Sequence, residues 1–182
     1  MLTEQEKAEL LRLARLALET YVKERRFLPA EPVNPGLLEV GGAFVTLERD
    51  GELRGCIGHL TADRPIARVV QDMAIAAATQ DPRFPPVTTD EVQRLTLEIS
   101  ALSSFRTVTD VGEIRVGRHG LIISDGRRRG LLLPQVAERE GWDAETFLAA
   151  TCRKAGLPLD AWKRGATIEI FTADVFSEKQ SG

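Results

Sequence analysis

The chain has 182 residues, 43% hydrophobic and 28% charged, with a formal net charge of −3. That length fits one domain, or one domain with a small lobe, with enough apolar surface for a core, and the composition excludes a disordered chain. The negative balance disfavours bulk binding to nucleic acid or anionic membrane, no apolar stretch approaches the roughly 20 residues that span a bilayer, and two cysteines form no disulfide framework.

No basic segment followed by an apolar run opens the chain, so the expectation is a cytoplasmic protein with reduced thiols. Over residues 3–26, Thr3 and Glu6 have capping-box spacing, and Leu10, Leu13, Ala14, Ala17, Leu18, Tyr21 and Val22 form one helical stripe. Pro29, Pro32, Pro35 and Gly36 then break regular structure, which makes 28–36 the hinge candidate. Residues 42–60 read as two strands around an Asp50-Gly51 turn. Simple alternation puts Leu53, Gly55 and Ile57 on one face of the second strand and Arg54, Cys56 and Gly58 on the other. Glycine inside a strand sacrifices packing, so something must approach the backbone there, either another segment or a ligand.

Asp63 is placed to cap a helix with Pro65 in its first turn and Ile66, Val69, Val70, Met73 and Ala77 on one face. It should end near Gln80, because Asp81 precedes a proline, and Asp81 to Pro86 (DPRFPP) should be a stiff loop carrying Arg83 and Phe84. Thr88 and Glu91 have capping-box spacing for a short helix, and Leu95, Leu97, Ile99 and Ala101 alternate as a half-buried strand. A small meander is expected from Ile114 and Val116 through 120–124, an Asp125-Gly126 turn and 130–133. Pro134 opens a short helix closed by Gly141, and Asp143 caps another with Phe147, Leu148, Thr151 and Cys152 facing inward. Thr167 to Phe171 is a last strand, with Phe176 nearby. Helices mixed with hairpin-linked strands, without regular βαβ spacing, give an α+β class with mainly antiparallel sheets.

For chemistry, Cys56 is the leading reactive candidate, because a guanidinium two residues away favours the nucleophilic thiolate. The competing reading is a small buried hydrophobe, the commoner fate of a free cysteine. His59 is offset by three positions, which turns it to the opposite face, so His119 is the tentative base. Cys56, His59, His119 and Cys152 could formally make a zinc site, but one short-spaced pair with two scattered residues is weak metal evidence, so no metal is assigned, and Cys152 reads as core. Arg127, Arg128 and Arg129 at a hairpin tip could hold phosphate or nucleic acid, against the default of a solvated loop. No Walker-type loop, HExxH or GxSxG is present.

Taken together, LRGCIG (53–58), DPRFPP (81–86), LEIS (97–100), VGRHGL (116–121), LLLPQVAEREGWD (131–143) and FLAATCRKAGL (147–157) resemble the AMMECR-domain family. Its microbial members are also called AmmeMemoRadiSam system protein A. The resemblance runs from about residue 5 to residue 178 and implies one AMMECR-type domain over 1–182, α+β, with a larger lobe from both chain ends and a smaller inserted lobe. It also implies an intracellular protein encoded or fused beside Memo-like and radical S-adenosylmethionine proteins, in a family with no assigned reaction. The family's suspected site is the LRGCIG face, carried over here as Arg54, Gly55, Cys56 and Gly58, with Asp81, Arg83, Phe84 and His119 around it. No iron–sulfur cysteine triplet is present, so no cofactor is expected of this chain and radical chemistry would belong to a partner. The expectation is a binding protein for a small ligand or partner in a modification pathway, with a Cys56 enzyme and a phosphate or nucleic-acid binder as alternatives.

Overall fold

The computed structural model describes residues 2–27 and 29–178. In chain order its elements are α1 (Glu4–Glu24), β1 (Gly42–Arg49), β2 (Glu52–His59), α2 (Ile66–Thr79), β3 (Leu95–Leu102), β4 (Arg106–Val108), β5 (Gly120–Asp125), β6 (Arg128–Leu132), α3 (Pro134–Glu140), α4 (Ala144–Lys154), β7 (Thr167–Phe171) and β8 (Ala173–Ser177). The class is α+β with antiparallel sheets. The chain divides into two compact units, one running to Leu102 and resuming at Asp174, the other spanning Ser103–Ala173.

In the first unit, the Thr3 hydroxyl accepts the Glu6 N–H at 3.3 Å and the Glu6 carboxylate accepts the Thr3 N–H at 2.8 Å, a reciprocal cap that starts α1. Its buried stripe, Leu10, Leu13, Ala14, Ala17, Leu18 and Val22, is the spacing of one helical face. The sheet order is β2-β1-β3-β8, and α2 lies against β1 and β2 with α1 against α2 and β3. Val45, Leu47, Leu97, Ile99, Val69, Val70 and Ala74 are fully buried between them. The run of alanines late in α2 keeps that helix thin where it meets β2.

Asp50 (φ 55°) and Gly51 (φ 82°) make the expected β1–β2 turn, since both central residues have positive φ. The pairing Arg49–Glu52 and Glu48–Leu53 then jumps to Leu47–Gly55, leaving Arg54 as an extra residue in a β-bulge. The expected alternation therefore fails at this point. Leu53 turns out with Cys56 and Gly58, Gly55 and Ile57 turn in, and Arg54 is tucked away at 7% exposure.

Asp63 does not cap α2; Pro65 is the cap residue, and Asp63 instead accepts from His59. The proline-rich 29–36 stretch is not the joint between units, which lies at Leu102/Ser103 and Ala173/Asp174. Leu28, the first residue of that hinge candidate, lies outside the described residues. Gln71 ties the rest of the stretch to α2 by accepting the Ala30 N–H at 2.8 Å and donating to Ala30 O at 3.0 Å.

The second unit has sheet order β4-β7-β5-β6, with α4 packed on β5 and β6. Leu121, Ile123, Ala137, Phe147, Leu148 and Cys152 are fully buried there. Ile114 and Val116 form no strand. The Asp110 carboxylate accepts the Gly112 N–H at 2.8 Å and Ile114 N–H bonds Val111 O at 3.0 Å, so a 3₁₀ turn satisfies the backbone locally. Beta4, three residues long, was too short to read from alternation, and β8 extends the region of Phe176 into the first sheet. No described helix is long and apolar enough to cross a membrane.

Candidate functional site

Both glycines of LRGCIG are explained by the chain itself. A Cβ on Gly55 would lie 2.2 Å from Ala77 O in the last turn of α2, and one on Gly58 would lie 2.2 Å from the Phe44 ring. Gly55 thus lets the end of α2 settle directly on β2. Two residues after that end comes Asp81, and the close approach brings its carboxylate to the Cys56 N–H at 2.9 Å.

Asp81 is the hub of the loop. It is 5% exposed, and besides Cys56 N–H it accepts the Arg83 N–H (3.0 Å), Arg83 Nε (3.0 Å) and Arg83 Nη2 (2.7 Å). Arg83 and the two backbone donors hold the Asp81 carboxyl well below the usual carboxylate range, even though burial pulls the other way. Reciprocally, Asp81 and to a lesser degree the Cys56 sulfur raise the proton affinity of Arg83. The Arg83 side chain is nevertheless 55% exposed, so a fixed guanidinium stands at the surface beside the cysteine.

Arg54 has a different role from the one expected. It does not stand free beside Cys56, because its Nε and Nη2 grip the two oxygens of Glu91 at 2.9 and 3.0 Å. Arg54 first, with the Thr88 backbone and hydroxyl, pushes Glu91 down to about 2, and Arg49 also pairs with that carboxylate. Arg54 Nη1 is sealed from solvent with no acceptor among the described residues. Both guanidinium groups lie near the Phe84 ring, its centroid 5.9 Å from Arg54 Cζ and 5.5 Å from Arg83 Cζ.

Cys56 is half-buried, and its sulfur accepts the Thr46 hydroxyl at 3.2 Å. Across the sheet, Thr46 pairs with Cys56 on one side and Glu98 on the other, so cysteine, hydroxyl and carboxylate form one row. Burial, and secondarily Glu48, raise the proton affinity of Glu98. Thr46 and Glu98 were not singled out from sequence. A regular Asp50-Gly51 hairpin would set Thr46 opposite Gly55, and only the bulge brings Cys56 to it.

Each histidine bonds within its own unit. His59 pairs with Ala43, on the opposite face from Cys56, and its ring contacts Asp63 at 2.7 Å and Arg64 at 3.2 Å. His119 belongs to the second unit, where its Nδ1 accepts the Arg115 N–H at 3.1 Å. Burial, and then Arg118, Arg106 and Arg115, lower its proton affinity. The arginine triplet stands at the β5–β6 tip: Arg127 is exposed in the turn, and Arg128 and Arg129 open β6, where Arg128 donates to Gly156 O at 3.0 Å and Arg129 pairs with Glu169 at 3.5 Å and stacks over Phe105. Among the described residues no three His, Cys, Asp or Glu side chains gather as a metal site would require, and Cys152 is fully buried in the second core.

The AMMECR1 family model matches residues 11–176. The Methanosarcina barkeri protein Mbar_A1807 is 42% identical over 99% of this chain and 94% of its own length. The Thermococcus kodakarensis protein TK0174 is 46% identical over 93% of this chain and 89% of its own length. Among solved structures, the uncharacterized protein PH0010 of Pyrococcus horikoshii matches with a TM-score of 0.86 at 43% identity, over 93% of this chain and 90% of that one.

Proposed function

The chain belongs to the AMMECR1 family, and from that premise we propose a binding protein whose contact surface is the outer side of β2 around Cys56 with the 81–86 loop. It takes a small ligand or a protein partner and works beside Memo-like and radical S-adenosylmethionine proteins in a modification pathway. One observation carries this reading: an exposed Arg83 guanidinium is locked in place by a buried carboxylate that also fixes the Cys56 backbone. Preorganising a charged donor in this way lowers the ordering cost of binding. The Asp81 oxygens already accept from Cys56 N–H and three Arg83 donors, which weighs against general-base work by this loop.

The row of Cys56, Thr46 and Glu98 favours a second reading, a cysteine-dependent enzyme in which the hydroxyl stabilises a thiolate and Glu98 receives the proton. Titration calorimetry of the purified protein against Memo-like and radical S-adenosylmethionine proteins separates the two. Binding is expected to weaken at least tenfold in Arg83→Gln and to stay within about threefold of wild type in Cys56→Ser. Unaided turnover of a substrate that Cys56→Ser abolishes would establish the enzyme instead.

A further inference from the structure

The two most distinctive stretches of the second unit, EGWD and CRKAGL, contribute nothing to the site above, yet they meet at one cavity. Leu132 at the end of β6, Trp142 before α4, and Ala150, Arg153 and Lys154 on α4 line a shallow hollow of about 370 Å³ open to solvent. That volume is in the range of small-molecule sites.

Its wall is built for a ring and an anion. Trp142 is held by the Phe147 ring, centroids 6.5 Å apart, and the small Ala150 lines the same cavity. No carboxylate lines the cavity, so its two side-chain charges are both positive in a chain whose net charge is −3. Those cations are also free for other work. Cations in a last helical turn usually serve the terminal carbonyls, but here the backbone does so: Ala155 N–H bonds Thr151 O at 3.0 Å, Gly156 N–H bonds Arg153 O at 3.0 Å and Leu157 N–H bonds Cys152 O at 2.9 Å. Arg128 takes Gly156 O, and neither Arg153 nor Lys154 has an ion-pair partner among the described residues.

We infer that this cavity binds a small anion carrying a planar ring, with the ring on Trp142 and a phosphate between Arg153 and Lys154, the chemistry of a mononucleotide. Two cations suit one phosphate. A nucleic-acid strand would need a longer basic track than these two cations. This site is independent of the Cys56 face.

The test is titration of the full chain with AMP, UMP, adenosine and inorganic phosphate, read by calorimetry and by tryptophan emission in a Trp162→Phe background, where Trp142 is the remaining emitter. AMP or UMP is expected to bind saturably below about 1 mM, to quench Trp142, and to bind at least tenfold more tightly than adenosine or phosphate alone. Arg153→Gln/Lys154→Gln changes only exposed side chains and should weaken binding at least tenfold with the fold intact by circular dichroism. No saturable binding of either nucleotide up to 5 mM, binding unchanged in the double variant, or an eight-nucleotide single strand binding more than tenfold tighter than UMP would each overturn the assignment. A failure here leaves the Arg83 experiment untouched, and the reverse also holds.

Discussion

Gly55→Ala is expected to destabilise the first unit by about 3 kcal/mol or more, while Gly58→Ala costs about 1 kcal/mol, although both added methyl groups start 2.2 Å from a neighbour. The neighbours decide the difference. At Gly58 the obstacle is the half-buried Phe44 ring, which can rotate at the cost of a strained rotamer. At Gly55 it is Ala77 O, a backbone atom of a helix whose Val69, Val70 and Ala74 are fully packed, so either β2 or the whole end of α2 must shift. That shift carries Asp81 away from the Cys56 N–H, linking a packing defect to the site. Both tryptophans, Trp142 and Trp162, lie in the second unit, so their emission reports that unit alone. Amide exchange at Val45 and Ile57 reports the first. Equal loss of protection in the two variants, or none in Gly55→Ala, would mean that the close approach of α2 to β2 has no energetic weight.

The same position shows what the sequence discloses and what it withholds. Local signals were sufficient where the backbone satisfies itself locally: the Thr3–Glu6 cap, the Asp50-Gly51 turn, the Gly141 helix end and the Asp143 cap all stand where spacing and residue type put them. The two glycines in β2 announce a close approach, but not what approaches: at Gly55 it is Ala77 O in α2, some twenty residues further on, and at Gly58 the Phe44 ring of the preceding strand. Arg54 is the clearest miss. Period-two alternation assigns it to the face of Cys56, and one bulged residue, signalled in LRGCIG only by the glycine that follows it, sends it to Glu91 instead. Glu91 was legible only as a helix cap. The cap is there, but the same carboxylate also neutralises a buried guanidinium, a contact between residues 37 positions apart. Ile114 and Val116 misled in the opposite direction, since an apolar pair with strand spacing was outbid by an Asp110 side chain that closes a 3₁₀ turn.

The second large effect is expected at Glu91. The Arg54 side chain is 8% exposed and Glu91 15%, so Glu91→Gln leaves a desolvated guanidinium facing a neutral amide, at an expected cost of about 3–5 kcal/mol. Asp81→Asn should cost less, about 2–3 kcal/mol, because its cation, Arg83, can return to water and the main loss is the charge-assisted bonds to two backbone donors. If the Glu91 loss is the penalty of an unpaired charge, Arg54→Met/Glu91→Met should be more stable than Glu91→Gln; a double variant at least as unstable would refute that cause. Acid reports the same balance. Glu91 is held at about 2 in the fold against an ordinary 4.5, so its contribution is complete above pH 4.5 and is lost as pH falls toward 2. Asp81, also depressed, adds a loss of the same sign at low pH. Glu98 has the opposite sign, since its raised proton affinity penalises the fold when it is ionised and relieves it on protonation. Urea midpoints of the first unit should therefore fall below pH 4.5, and the fall should be shallower in Glu91→Gln. Parallel wild-type and Glu91→Gln profiles between pH 4.5 and 2 would show that Arg54 does not draw its stability from this carboxylate.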